Sequence, residues 1–148
     1  MKDFVHLHLH TQYSLLDGAI KIKDLVKKAK EFGYKAVAIT DHGNLFGISD
    51  FYNTLRAEGI KPIVGMEAYF TTGSRFDRKG KASEDNITDK HNHHLILIAK
   101  DDEGLKNLIT LSTLSYKEGF YYKPRIDYEL LSKHHKGLIA ITACLKGV

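Results

Sequence analysis

The chain has 148 residues, a formal net charge of +4, and 43% hydrophobic and 27% charged residues. That length buries one ordinary core, and that composition excludes disordered, collagen-like and disulfide-scaffold classes. Its longest apolar stretches fall far short of the roughly 20 residues that a membrane-spanning helix needs. Cys144 is the single cysteine, so no internal disulfide forms. With no secretory leader after Met1-Lys2-Asp3, a reducing cytoplasmic setting is expected. The mild positive charge suits a phosphate-rich partner without requiring one.

The stretch Val5-His6-Leu7-His8-Leu9-His10 alternates imidazoles with aliphatic side chains. This predicts a strand over 4–10 with His6, His8 and His10 on one face. Side chains two apart on one face can converge on a metal ion through neutral imidazole nitrogens. A polar stretch through Asp17-Gly18 then leads to a helix over 21–32, with Ile22, Leu25, Val26 and Ala29 on one face and Gly33 as its stop. Residues 35–40 read as a short buried strand ending in Thr40-Asp41-His42-Gly43, and a helix over 47–58 stops at Gly59. A long strand over 60–72 contains Glu67. Residues 73–92 are charged and turn-rich, the pattern of an exposed, mobile loop.

A strand over 94–100 and a helix over 101–117 follow, the helix turning Leu105, Leu108, Ile109 and Leu111 inward. The run Gly119-Phe120-Tyr121-Tyr122-Lys123-Pro124-Arg125 reads as a loop. A short helix over 127–134 precedes the last strand, over 137–142, which delivers Cys144.

Alternating strands and helices predict a single α/β domain over 1–148, built on a largely parallel sheet or barrel. In such barrels functional residues sit just past the C-terminal ends of strands. His8 and His10 end the first strand, Asp41 and His42 follow the second, Cys144 follows the last, and Glu67 lies within the third. His94 instead opens its strand. For His94 to share a rim with Glu67, the strands over 63–72 and 94–99 must run antiparallel.

Four segments carry a resemblance to a known family: Leu7-His8-Leu9-His10-Thr11, Ile39-Thr40-Asp41-His42-Gly43, Gly65-Met66-Glu67 and His94-Leu95-Ile96-Leu97-Ile98-Ala99-Lys100. Together they resemble the PHP (polymerase and histidinol phosphatase) domain, over essentially the whole chain. The segments over 12–18, 59–65 and 119–127 are similar to the polymerase branch of that family, the N-terminal domain of bacterial replicative DNA polymerase subunits, rather than to free-standing phosphatases. The resemblance implies a distorted seven-stranded (β/α) barrel with up to three divalent metal ions on one rim. Zinc is the first expectation, with manganese or iron as alternatives.

By resemblance the metal ligands are His8, His10, Asp17, His42, Glu67, His94 and Cys144. Glu67, His94 and Cys144 would share one ion. His8, His10 and Glu67 would hold a second with a further Asp, and Asp17 and His42 a third with a further His. Those two extra ligands belong to a family segment beyond Val148, so the chain reads as the N-terminal portion of the domain. Asp41 is expected either to orient His42 or another ligand, or to cap a helix. Lys123 and Arg125, beside Tyr121 and Tyr122, read as nucleic-acid contacts or as part of a packed loop. His6 shares the alternating face, but the family motif uses the two histidines nearest Thr11. His91 and His93 read as solvated, and His134 and His135 as structural at a helix end.

The implied chemistry is metal-dependent phosphoester hydrolysis, as a 3′–5′ proofreading exonuclease within a DNA-directed DNA polymerase that serves DNA replication. The implied partners are DNA and the other subunits of the polymerase holoenzyme, with no membrane. The alternative is a non-catalytic structural domain that stabilises the polymerase and binds a partner subunit or DNA.

Overall fold

The computed structural model describes residues 4–78 and 92–148. In chain order these form α1 (Ile22–Glu31), β1 (Ala36–Ile39), α2 (Ile48–Ala57), β2 (Lys61–Thr71), β3 (Asn92–Ala99), α3 (Asp102–Lys117), β4 (Phe120–Tyr121), β5 (Lys123–Ile126), α4 (Tyr128–Lys133) and β6 (Leu138–Thr142). Most of the segment expected as a mobile loop, residues 79–91 with His91, lies outside the described residues. No helix among the described residues is long and apolar enough to cross a membrane.

Helix boundaries follow local chemistry. α1 ends where Gly33 takes φ +68° and its N–H returns to the Lys30 carbonyl at 3.0 Å, a left-handed stop that favours glycine. Asp101 accepts the Gly104 N–H at the start of α3, and Asp127 accepts the Leu130 N–H at the start of α4, each satisfying a donor the helix cannot. In α3, Leu108 and Leu111 are buried as expected, whereas Ile109 is half exposed. At about 100° per residue, Ile109 turns out of the stripe that its neighbours define.

The sheet is organised around β2. β3 pairs antiparallel along one edge, with Glu67 opposite Ile96 and Tyr69 opposite His94, the direction that the position of His94 required. The other edge is shared: β1 runs parallel to Lys61–Val64, and β5 runs parallel to Tyr69–Phe70. β6 lies antiparallel beside β3, and β4 beside β5. The sheet is therefore mixed rather than largely parallel, because β3, β4 and β6 each run against a neighbour. The expected loop over 119–125 is instead a tight β4–β5 hairpin. Six strands belong to the sheet, and the expected strand over 4–10 is not among them. That segment lies along β1 with irregular bonding.

Two cores flank the sheet. Val64, Met66, Ala68, Phe70, Leu95 and Leu97 pack against Leu108 and Leu111 of α3 and Leu130 of α4. Val37 and Ile39 of β1 pack with Leu25 and Val26 of α1 and with Phe51 and Leu55 of α2. Strand alternation then leaves Glu67, Tyr69, His94 and Ile96 on the face away from α3.

The segment after β2 is anchored by a buried ion network. Arg75 donates to Asp127 at 3.0 Å and to Glu118 at 2.9 Å, and its backbone N–H also meets Asp127 at 2.9 Å. Burial opposes ionisation of Asp127, but N–H bonds from Arg75 and Leu130 and the Arg75 charge outweigh it and hold the carboxyl below its ordinary range. Replacing Asp127 with Ala strips Arg75 of a partner and α4 of its cap. Urea denaturation should show a loss of roughly 3–5 kcal/mol. Because the folded-state pKa is depressed, this contribution is complete above the ordinary value of 3.8. It disappears as pH falls through the lower folded value, so the gap between the two proteins should narrow only in acid.

Candidate metal centre

The site forms where β1 and β5 exchange places along the edge of β2. Past Ile39, β1 leaves its ladder through a last bridge, His42 opposite Glu67, and the Gly43 N–H donates to the Glu67 carbonyl at 2.9 Å. This brings the His42 ring over the face that carries Glu67, Tyr69 and His94. Gly43 takes φ +62°, and a Cβ there would stand 2.8 Å from Pro124 Cγ and 3.1 Å from the Tyr69 ring. Only glycine lets this turn lie so close against β2 and β5.

The N-terminal histidines reach the same place through a break in alternation. The His6 carbonyl accepts from Ala38 N at 3.1 Å, and the Leu9 carbonyl accepts from Thr40 N at 2.8 Å. The first chain advances three residues while β1 advances two, so one extra residue is accommodated, as in a β-bulge. His6 is thereby separated from the other two, and its Nε2 meets the Tyr34 hydroxyl at 3.1 Å. The expectation from alternation, that His6 shares the face of His8 and His10, fails for this reason.

His8 Nε2 and His10 Nε2 each lie 2.8 Å from Glu67 Oε2 and 3.1 Å from one another. His94 Nδ1 lies 2.7 Å from Glu67 Oε1, and His42 Nδ1 is 3.7 Å from Oε2. The far nitrogen of His42 meets Asp17 Oδ2 at 2.8 Å. The His10 and His42 rings stack with centroids 4.1 Å apart. Four imidazoles thus surround one carboxylate that is 1% exposed.

The charges divide accordingly. Burial opposes ionisation of Glu67, yet bonds from His10 and His8 and the charge on His42 pull its carboxyl down to about 2. His10, despite its own burial, is raised by its bond to Glu67. His42 is lowered by burial and by the neighbouring His10. Of the stacked pair, His10 keeps a proton more readily and His42 releases it.

These positions suit a divalent ion. Three groups of side chains bring ligand atoms within 4.8 Å of one another: His8–His10–Glu67, His10–Asp17–His42 and His42–Glu67–His94. Ligand atoms of a tetrahedral zinc site stand roughly 3–3.5 Å apart, since each bond is about 2.0–2.2 Å. A proton between His8 and His10 serves one pair of atoms, whereas a cation at the centre serves all three groups facing it. Glu67 Oε1 and His42 Nδ1 are also buried without a hydrogen-bond partner. Buried polar atoms left in this state call for an ion or a water.

Cys144 lies beyond β6, at the edge of the cluster. Its exposed Sγ is 3.6 Å from His94 Nδ1, but no ligand group among the described residues includes it. It is carried there by a turn that folds back on β3, with His94 N donating to the Lys146 carbonyl at 2.8 Å.

Asp41 does not cap a helix, since α2 begins at Ile48 after Gly47. It accepts Thr11 N at 2.6 Å, Thr11 Oγ1 at 2.8 Å and Ser14 Oγ at 2.7 Å. Ser14 Oγ in turn lies 3.2 Å from His10 Nδ1 and accepts the His42 N–H at 3.0 Å. Asp41 therefore orients His10 through a serine, and Thr11 and Ser14 are site residues that the sequence motifs did not single out. Arg125 is corrected: it is buried, and its guanidinium is spent on the carbonyls of Gly119, Arg75 and Asp77. It braces the hairpin and cannot meet a nucleic acid. Replacing Asp41 with Ala strands three donors and should lower stability by about 2–4 kcal/mol. Chemical denaturation measures the loss, and a value under about 1 kcal/mol would show that Thr11 and Ser14 find other acceptors.

The PHP domain family model matches residues 6–148. A DNA polymerase III subunit alpha from Aquifex aeolicus is 82% identical over 147 residues, which is 99% of this chain and 13% of that protein. The proteins of the same name from Helicobacter pylori and Chlamydia muridarum are 54% and 53% identical, over 99% and 97% of this chain and 11% of each relative. The chain thus spans little more than a tenth of the length of the relatives it matches.

Proposed function

The chain belongs to the PHP domain family, and on that premise we propose that its histidine–carboxylate cluster is the metal centre of a phosphoesterase acting on DNA. The observation that carries this reading is the meeting of His8 Nε2, His10 Nε2 and Glu67 Oε2 within 3.1 Å of one another. The ligand set proposed is His8, His10, Asp17, His42, Glu67 and His94. Cys144 would join Glu67 and His94 by a small movement of its exposed turn. The soft imidazole-rich donors favour zinc over magnesium, with manganese or iron as alternatives.

A divalent ion held there supplies Lewis acidity to a phosphoryl oxygen and a nucleophile at neutral pH. The chain's own groups do the rest. Glu67 stays ionised throughout the physiological range and faces more than one ligand group. Ser14, held by Asp41, fixes the His10 ring, and Asp17 fixes the His42 ring. The names of the relatives support a wider assignment of residues 1–148 as PHP-domain sequence of a bacterial replicative DNA polymerase. In that setting the centre removes 3′-terminal nucleotides as a proofreading exonuclease, in a cytoplasmic assembly with DNA and other polymerase subunits. The barrel of seven strands belongs to this proposal too.

Metal analysis and hydrolysis test it together. Tag-free protein dialysed against zinc should retain the metal and melt roughly 5–10 °C higher when the free ion stands at about a hundred times its dissociation constant. A single-stranded oligonucleotide should lose 3′ nucleotides, and chelation should stop the loss. Glu67→Gln should abolish retention and slow hydrolysis at least about a hundredfold. Equal zinc retention by Glu67→Gln would place the ion elsewhere. Zinc binding with no hydrolysis would instead favour the non-catalytic structural role.

A further inference from the structure

The turn that carries Asp17 to the cluster is built against the preference of its residues. The Asp17 N–H returns to the Ser14 carbonyl at 3.0 Å and closes a four-residue turn. The Gly18 N–H reaches the same oxygen at 2.8 Å. Leu16, the third residue of that turn, takes φ +69°, a position that ordinarily falls to glycine or asparagine. Leucine in this region costs free energy, and its side chain returns nothing to the core. Leu16 is wholly exposed, and Leu15 beside it is 83% exposed.

The strained turn is held by its footing. Ser14 Oγ is tied to Asp41 at 2.7 Å and to the His42 N–H at 3.0 Å. Gln12 N donates to the Ile20 carbonyl at 2.9 Å, and Gly18 lies so close to Thr11 that a Cβ would overlap the Thr11 carbonyl oxygen. Both ends of the turn are thus fixed, and residues 15–17 must find a path between them.

Asp17 needs such a device. Its side chain is 55% exposed, and its one side-chain hydrogen bond among the described residues runs to His42 Nε2 at 2.8 Å. Packing does not select its direction, so the backbone must. A right-handed residue 16 would change the course of the chain after Leu15 and turn the Asp17 side chain away from His42. Strained backbone at a site is the kind of outlier from which a role can be inferred. We propose that Leu16 is a positioning residue for the metal centre: its left-handed backbone aims the Asp17 carboxylate at His42, and its side chain is dispensable. The proposal rests on the metal-centre reading only for what Asp17 does once an ion is present.

Nuclear magnetic resonance of the His42 ring, recorded on the full chain in chelator and at one fixed pH, tests this. Asp17→Asn removes the carboxylate and marks where the ring signals move when the contact weakens. Leu16→Pro locks φ at about −65° and should move the signals the same way. Leu16→Gly and Leu16→Asn keep the left-handed region open and should leave the signals at their wild-type positions. Leu15→Val, one residue away, should leave them there too. Leu16→Val places a β-branched residue where the left-handed region admits it least, and it repeats the test if the proline variant does not melt cooperatively. In zinc, Leu16→Pro should bind the ion shared by His10, Asp17 and His42 about tenfold more weakly, while Leu16→Gly matches the wild type. Wild-type His42 signals in a folded Leu16→Pro, or in Leu16→Val where the proline variant does not fold, would overturn the proposal. So would equal displacement by Leu16→Gly and Leu16→Pro, which would make the leucine side chain the cause. A chain that follows the resonance series yet binds no zinc would support the positioning of Asp17 while defeating the metal-centre reading.

Discussion

A buried carboxylate is the constraint on which this structure turns. Glu67 sits on the central strand, and an unpartnered charge at such depth costs several kcal/mol. Four imidazoles, from three separate stretches of chain, bring the compensation. Each of those stretches has its own reason to be where it is: β3 through its antiparallel register, His42 through a glycine turn, and His8 and His10 through an irregular lie against β1. The fold can be read as the set of connections that delivers nitrogen atoms to one pair of oxygens.

The exchange of β1 for β5 along β2 makes this delivery feasible. A continuous neighbour along that edge would cover the backbone at Glu67 with a regular ladder. Because β1 departs there and β5 arrives two residues later, the gap admits a turn instead of a strand. Open α/β sheets place ligands where neighbouring strands diverge, and the crevice here is a small instance of that geometry within a mixed sheet.

Much of this was legible in the residues. The apolar stripe of α1, the buried run of β1 and the glycine stops at Gly33 and Gly59 announce their elements because helix and strand periods differ plainly there. The antiparallel course of β3 followed from a single misfit, the histidine that opens its strand. What stayed hidden was mostly register and side-chain reach. Alternation carries no mark of an extra residue, so His6 was grouped with His8 and His10. Lys123 and Arg125 look alike in sequence and share one face of β5. Yet the guanidinium two residues further into the strand is taken up by the carbonyls of Gly119, Arg75 and Asp77, while Lys123, next to the hairpin turn, stays part exposed. Thr11 and Ser14 are common residues in a polar stretch, and only the folded Asp41 gives them a role. Tyr69 could have been found, since a residue two beyond Glu67 on a strand shares its face.

The offset between residues 6–9 and β1 sets the backbone and the site against each other. Removing one residue from that stretch would let the chain zip into a regular parallel ladder, with better-aligned backbone bonds and a recognisable edge strand. Because the Leu9–Thr40 bond would keep its place, His10 and the residues after it would hold their faces, and the change would fall on the short stretch between residues 6 and 9, where His8 lies. The extra residue thus sets where the His8 side chain stands between two fixed backbone bonds, so the length of this histidine run matters to the cluster as well as the identity of the residues within it.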